Sequence, residues 1–253
     1  MDGIDWVVVG FAGFFGGMLN SVAGGGSFIT LPALIFVGVP PVAANATGTA
    51  ALLPGYIASA WRFRNDIEFP ANLSFKLIAF IAILGGCIGA VILMLTSNKL
   101  FSTLIPWLII LATIALIIGP LFLKRKDKEA EYPHLGAPII VVILLAVCIY
   151  GGYFNGGLGI ILLATFALMG QTNIHGMNGL KNIISALLTV VAVIVYAIGS
   201  AISGEYLLFV GAMAILGGYV GAAFAYRISQ KALRVFIVFV GCLTSIGFFL
   251  GKV

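Results

Sequence analysis

Long stretches with almost no charge constrain this chain more than any other feature of its sequence. Residues 71–96, 100–123 and 173–198 contain almost no charged residues, and about 20 apolar residues cross a bilayer as a helix. Only 8% of the 253 residues are charged and 62% are hydrophobic, whereas soluble domains carry ~25% charged residues. The sequence therefore predicts an all-α polytopic membrane protein in contact with the lipid bilayer.

The net charge of +5 does not indicate a nucleic-acid partner. The cations lie mainly in short segments between apolar stretches, where Lys and Arg orient a membrane protein. The first residues, MDGIDWVVVG, lack the basic region of a secretory signal, so we expect no removable signal peptide.

An internal repeat relates the two halves of the chain, because three segments of the first half match three segments of the second. The matches are LGGCIGAVI (84–92) with LGGYVGAAF (216–224), GGMLN (16–20) with GGYFN (151–155), and GGGSFITLPALIFVG (24–38) with GGLGIILLATFALMG (156–170).

The repeat divides the chain into a first membrane repeat (1–123), a charged linker (124–136) and a second membrane repeat (137–253). Each repeat is predicted to be a glycine-broken helical hairpin followed by three transmembrane helices. The second limbs of the hairpins, about residues 27–38 and 159–170, are only ~18 Å long as helices. This length favours a hairpin made of two half-depth limbs.

Loop charges predict that the two repeats are inverted. The loop with Arg62 and Arg64 corresponds to 199–206, which has no cation, whereas 96–99 has one and its counterpart 227–234 has three. Since cationic loops stay on the cytoplasmic side, corresponding loops prefer opposite sides of the membrane. We expect the linker 124–136 to be cytoplasmic and both termini to face outward from the plasma (inner) membrane.

Glycine clusters break both hairpins where a membrane helix should continue. Each Gly inside a helix costs ~1 kcal/mol relative to Ala, and a break at membrane depth is tolerated where it lines a cavity. The helix that follows each break begins with unpaired N–H groups, which form a natural anion site. The predicted substrate-binding glycines are Gly24, Gly25 and Gly26 in the first break and Gly156, Gly157 and Gly159 in the second.

The alternative for a glycine-rich segment is close helix packing, since small residues let two backbones approach. We predict this structural role for the scattered glycines of the later helices, namely Gly85, Gly86, Gly89, Gly217, Gly218 and Gly221.

Polar side chains near the breaks complete the predicted substrate site. Lys181 lies inside an apolar span, where a cation usually faces a cavity or a partner, although a lysine can also extend to the interface or cap carbonyls. His175, nearer the edge of that span, is either a proton carrier or an interfacial polar residue. The other predicted substrate-binding residues are Asn20, Ser21, Ser27, Asn45, Thr49, Asn155, Asn178 and Asn182, and Ser185 continues the stripe of Asn178, Lys181 and Asn182.

Missing motifs argue against catalysis and energy-coupling chemistry. None of the eight carboxylates lies deep in a span, so a buried acidic proton relay or the acidic ring of a cation channel is not predicted. The sequence has no Walker GxxxxGK[ST] loop, HExxH zinc motif or GxSxG elbow. We therefore expect no enzyme, no metal site and no cofactor.

The segment GGMLNSVAGGGSFITLPALIFVGVPPVAANATGTAALLPGYIASAWRFR, with its degenerate copy GGYFNGGLGIILLATFALMG, resembles the sulfite exporter TauE/SafE family. The resemblance covers essentially the whole chain. It implies a bacterial inner-membrane carrier of small sulfur-containing anions, such as sulfite or sulfonates, which works mostly outward. It also implies that substrate binds around the glycine-rich turns with Asn20, Ser27 and Asn155. The second copy departs from the first, because GGLG replaces GGGS.

We therefore predict a secondary transporter that exports small sulfur-containing anions by alternating access around a midplane site. The alternatives are a non-transporting membrane scaffold or anchor subunit, and an ion channel. The sequence does not indicate an oligomeric state.

Overall fold

The computed structural model describes residues 3–22, 24–70, 73–124, 137–224 and 230–250. Every regular element in this part of the chain is a helix. The helices are α1 (Gly3–Val22), α2 (Ser27–Phe36), α3 (Pro41–Arg62), α4 (Phe75–Leu95), α5 (Asn98–Lys124), α6 (Ala137–Tyr153), α7 (Leu158–Leu168), α8 (Ile174–Ile198), α9 (Gly204–Phe224) and α10 (Gln230–Phe249).

The all-α prediction is confirmed for the described residues. Five segments are long and apolar enough to cross a membrane, and large apolar side chains cover much of the outer surface. The five segments are Gly3–Ser21, Phe75–Leu95, Asn98–Ala115, Ile174–Ile198 and Gly204–Gly221.

Both glycine clusters interrupt helices as expected, but the two limbs of each broken stretch differ in length. α1 has 20 residues, or ~30 Å at 1.5 Å per residue, so it is long enough to cross a bilayer. The expectation of two half-depth limbs is therefore wrong for α1. The second limbs, α2 with 10 residues and α7 with 11, are short, because glycine or proline limits each at its start and end.

Helices of one half pack against helices of the other half. α1 packs along α9, and α4 packs along α6 in the same way. At the first crossing a Cβ on Gly217 would lie 1.8 Å from the carbonyl oxygen of Phe14, and at the second a Cβ on Gly89 would lie 2.1 Å from that of Ile149. The prediction of close packing is confirmed for the scattered glycines other than Gly218, where a Cβ would have only the Gly17 oxygen within 4 Å, at 3.8 Å.

The corresponding helices α3 and α8 run antiparallel to one another. A Cβ on Gly179, near the start of α8, would lie 3.0 Å from the carbonyl oxygen of Phe63 just after α3. At the opposite end the Ser203 N–H, which follows α8, donates to Thr47 Oγ1 of α3 at 3.0 Å. The inversion of the repeats across a membrane stays a prediction, as do the three-part division of the chain and the orientation of its termini. The linker 124–136 lies outside the described residues except for Lys124.

We predict that Gly217→Ala destabilises the protein, whereas Gly218→Ala does not. The added methyl at Gly217 would meet the Phe14 carbonyl, but the nearest atom to a Cβ on Gly218 is the Gly17 oxygen at 3.8 Å. Overpacking costs ~1–3 kcal/mol, and Ala otherwise favours a helix over Gly. Thermal unfolding in detergent micelles measures both variants, and equal midpoints would contradict the close crossing of α1 and α9.

Candidate functional site

The two glycine breaks touch each other through their backbones. Gly24 has a positive φ of +82°, and a Cβ at this position would lie 2.8 Å from the Cα of Gly159. Gly24 and Gly159 are both buried. Since a side chain at position 24 would meet the backbone of Gly159, this contact requires glycine at position 24.

The first break leaves amide donors unpaired. The Gly24 N–H donates to the Asn20 carbonyl at 3.0 Å, and the Phe28 N–H donates to the Gly25 carbonyl at 3.1 Å. Within the described part of the chain, the N–H groups of Gly25, Gly26 and Ser27 have no such partner, and no side chain caps α2. Among the described residues, the start of α2 therefore presents buried donors without a partner.

The second break has the same character. Gly157 adopts a left-handed conformation with φ of 72° at the start of α7, where no side chain caps the helix. The Leu158 N–H donates to the Asn155 carbonyl at 3.2 Å. The N–H groups of Gly156, Gly157 and Gly159 have no partner among the residues that the structure describes, so α7 also begins with free donors.

Side chains of three helices donate hydrogen bonds to carbonyl groups at the second break. The backbone N–H groups of this break, in contrast, have no such partner among the described residues. These carbonyls would otherwise present oxygen acceptors, which favour cations. With the acceptors occupied, the break is dominated by donors. The bonds are Asn45 Nδ2 to the Tyr153 oxygen at 3.1 Å, Tyr150 OH to the Gly156 oxygen at 2.5 Å, and Tyr196 OH to the Gly152 oxygen.

A buried tyrosine on α3 contacts the second break. The Tyr56 hydroxyl donates to Asn155 Oδ1 at 3.2 Å. Asn20 Nδ2, near the end of α1, lies 4.0 Å from a Cβ built on Gly55, the residue before Tyr56. Asn20 and Asn155 occupy matching positions in the repeat, so α3 passes beside both of these asparagines.

Several buried polar atoms of α1, α3, α8 and the second break have no hydrogen-bond partner among the described residues. Leaving one such buried group unsatisfied costs ~1–3 kcal/mol, so an accumulation of them suits a polar guest or ordered water. The buried atoms with no hydrogen-bond partner among the described residues include Asn20 Oδ1, Asn45 Oδ1, Thr49 Oγ1, Asn155 Nδ2, Asn182 Oδ1, Ser185 Oγ and Thr189 Oγ1.

Lys181 supplies a buried cation on α8. Its side chain is 0% exposed, and its Nζ donates to Asn178 Oδ1 at 3.2 Å. No carboxylate pairs with it in the described portion of the chain. The side chain therefore does not extend to the interface, and its charge is left without a counter-ion.

Two of the predicted residues are directed elsewhere. The Ser21 hydroxyl donates to the Met18 carbonyl at 2.9 Å, and it lies 2.5 Å from a Cβ built on Gly221 of α9. His175 is exposed at the start of α8, where its ring stacks on Phe63 with centroids 6.0 Å apart. Its role as a proton carrier stays a prediction, and its position also suits an interfacial residue.

The sequence interpretation missed three tyrosines and one threonine that contact or flank the breaks. Tyr56 follows Asn45 by eleven residues and Thr49 by seven, so helical spacing already places the three on one face of α3. Thr189 extends the α8 stripe beyond Ser185 by the same rule. No local signal identifies Tyr196, because its partner is a carbonyl 44 residues away. Tyr150 bonds to Gly156, six residues further along the chain, so its nearness to the glycine cluster was the available signal.

Three relatives, each named a probable membrane transporter protein, match nearly the whole chain. A probable membrane transporter protein of Haemophilus influenzae is 26% identical over 247 residues, covering 93% of this chain and 91% of the relative. The probable membrane transporter protein YfcA of Escherichia coli is 23% identical over 243 residues, covering 94% of this chain and 87% of the relative. A probable membrane transporter protein, ORF9, of Sinorhizobium is 25% identical over 244 residues, with coverages of 93% and 88%.

The family model for the sulfite exporter TauE/SafE matches residues 9–248. Together with the apolar helices, the family and the relatives support a multi-pass membrane transporter. Because the match spans nearly the whole chain, this protein belongs to the sulfite exporter TauE/SafE family.

Proposed function

We propose that this chain is a secondary transporter that exports small sulfur-containing anions, such as sulfite or organosulfonates, from the cytoplasm. The observation that carries the proposal is the contact of the two breaks at Gly24 and Gly159, where unpaired amides of both repeats are buried together. Sulfite and sulfonates present several oxygen acceptors around a small centre, which matches a surface made of donors.

Electrostatics favour a negatively charged guest at this place. Each helix N-terminus carries a positive partial charge of about half an elementary charge, and α2 and α7 both begin at the breaks. Lys181 adds a full positive charge without a carboxylate partner among the described residues. We propose that the substrate supplies the missing counter-charge and also pairs with the unsatisfied side chains of Asn20, Asn155 and Asn182.

Alternating access would follow from the pairing of helices between the halves. In the proposed inverted repeats α1 corresponds to α6, and α4 corresponds to α9. The packing of α1 on α9 then corresponds to the packing of α6 on α4, and both are observed. Rocking these pairs about the breaks would open the buried site to one side and then to the other. An inside-negative potential of 100 mV would contribute ~2.3 kcal/mol to the export of a monovalent anion, without an acidic relay, enzymatic step or cofactor.

The direct test is reconstitution of the purified chain in liposomes. We expect saturable flux of sulfite or ethanesulfonate that accelerates when the source compartment is made negative. Flux of neither anion would contradict a transporter and favour the scaffold alternative. A current that does not saturate, or that is carried by cations, would favour an ion channel.

We predict that Lys181→Met lowers kcat/KM for anion flux about 10- to 100-fold, because hydrogen bonds to charged groups contribute ~1.5–3 kcal/mol. The matched control is Lys99→Met. Lys99 is exposed at the start of α5, so this variant should transport normally. An unchanged kcat/KM in Lys181→Met would remove this lysine from the site.

We also predict that Gly24→Ala abolishes flux, whereas Gly38→Ala retains it. Both glycines have a positive φ, +82° and +88°, but a Cβ on Gly38 meets nothing within 4 Å. The two substitutions therefore share the backbone strain and differ in the contact with Gly159. The measurement that distinguishes the two variants is flux per properly folded protein after size-exclusion chromatography. Equal flux would show that transport does not need the contact between the breaks.

A further inference from the structure

Some buried hydroxyl groups of this protein pair within their own helix and others do not. Thr113, Thr165 and Thr244 each donate to the carbonyl oxygen four residues earlier, at 2.7 to 2.8 Å, as a threonine inside a helix commonly does. Ser185 and Thr189 of α8 are 0% exposed but have no hydrogen-bond partner among the described residues. Since α8 also offers carbonyls at this spacing, helix geometry does not explain why these two hydroxyls stay unpaired.

The unpaired atoms of α8 lie on one face of the helix. Asn182 Oδ1 is a third buried atom without a partner in the described part of the chain. Asn182, Ser185 and Thr189 follow one another at intervals of three and four residues, so they share a face. Asn178 and Lys181 continue this α8 polar face toward the start of the helix, where Lys181 Nζ donates to Asn178 Oδ1 at 3.2 Å. No other described helix has more than two such unpaired atoms.

One end of the α8 polar face lies at the second break. Tyr196 follows Thr189 by seven residues, or about two helical turns, and is therefore on the same face. Its hydroxyl donates to the Gly152 carbonyl near the end of α6. Leu188 Cδ2, next to Thr189 in sequence, lies 3.2 Å from a Cβ built on Gly151. These contacts place Thr189 at the level of the helix end from which the second break begins.

The α8 polar face is long enough to reach from the membrane surface to mid-depth. Thr189 follows Asn178 by eleven residues, which is ~16 Å of helix and about half of the ~30 Å hydrocarbon core. Asn178 is half-buried, whereas Ser185 and Thr189 are fully buried. In the orientation expected from Arg62 and Arg64, the Asn178 end faces the cytoplasm.

We infer that the α8 polar face lines the half of the transport route that leads from the start of α8 to the second break. This inference rests on the proposed function and adds to it the side chains that the anion passes. Lys181, Ser185 and Thr189 donate in turn to the oxygens of the anion, so the charge keeps hydrogen bonds as it leaves water. Asn182 Oδ1 is an acceptor and pairs with a proton of the guest or of its hydration water.

The first test measures the access of a sulfonate to single cysteines in proteoliposomes. The background protein has its native cysteines replaced by Cys87→Ala, Cys148→Ala and Cys242→Ala. In it, Ser185→Cys and Thr189→Cys should react with 2-sulfonatoethyl methanethiosulfonate, a thiol reagent that is itself a small sulfonate. Ethanesulfonate at ~10 times its Kd should slow both reactions about tenfold, because the bound anion occupies the same route.

Thr244→Cys and Val190→Cys are the matched controls for this labelling. Thr244 is buried but pairs within its own helix, and Val190, next to Thr189, is 39% exposed on the outer surface of a membrane span. Both should stay unreactive toward the charged reagent. Equal labelling of Ser185→Cys, Thr189→Cys and Thr244→Cys, in protein that transports ethanesulfonate, would overturn the route and leave the transporter standing. Labelling that ethanesulfonate does not slow would also overturn the route.

The second test removes one hydroxyl without changing the shape of the side chain. Thr189→Val replaces an unpaired buried hydroxyl by a methyl group, so thermal unfolding in detergent should show an equal or higher midpoint. The same variant should lower kcat/KM for ethanesulfonate about 10-fold, the effect of losing one hydrogen bond to a charged group. Thr244→Val is the control and should keep the wild-type kcat/KM.

The outcomes of the second test also separate the route from the proposed function. An unchanged kcat/KM in Thr189→Val would overturn the route, and so would a lower midpoint, because it would show that the hydroxyl has a structural partner. In both cases the wild type would still transport the anion. If the wild type transports neither ethanesulfonate nor sulfite, the proposed function fails and the route fails with it.

Discussion

The contact between Gly24 and Gly159 is the interaction on which the rest of this structure depends. A backbone that leaves the helical conformation inside a membrane must find partners for its N–H and C=O groups or enclose them away from lipid. Here the two breaks lie against each other, and the surrounding helices bury both of them. Among the described residues, amides of both breaks are left without a backbone partner, and these donors support the proposed anion site.

The helix crossings at the periphery hold that contact in place. Gly217 brings α9 onto the carbonyl of Phe14 in α1, and Gly89 brings α4 onto the carbonyl of Ile149 in α6. Each crossing fixes the long limb of one broken stretch against a helix of the other repeat. The short limbs α2 and α7 then begin next to one another, because their positions follow from the ends of α1 and α6.

The two breaks are related by the repeat but differ chemically. Side chains of Asn45, Tyr150 and Tyr196 cap carbonyls of the second break, whereas only the first break contains three consecutive glycines. Tyr56 donates a hydrogen bond to Asn155 of the second break. The two breaks therefore differ in their polar contacts although they occupy matching positions in the repeat.

The sequence by itself determined the helical class, the positions of both breaks and most of the buried polar residues. Apolar length, glycine clusters and the spacing of Asn178, Lys181 and Asn182 are local properties, and each survives in the structure. Only the tertiary structure decided that Gly24 meets Gly159, that Ser21 turns toward α9, and that Tyr56 bonds to Asn155. These contacts depend on how helices far apart in the sequence pack together. Residue spacing along one helix shows which residues share a face, but not which other helix that face contacts.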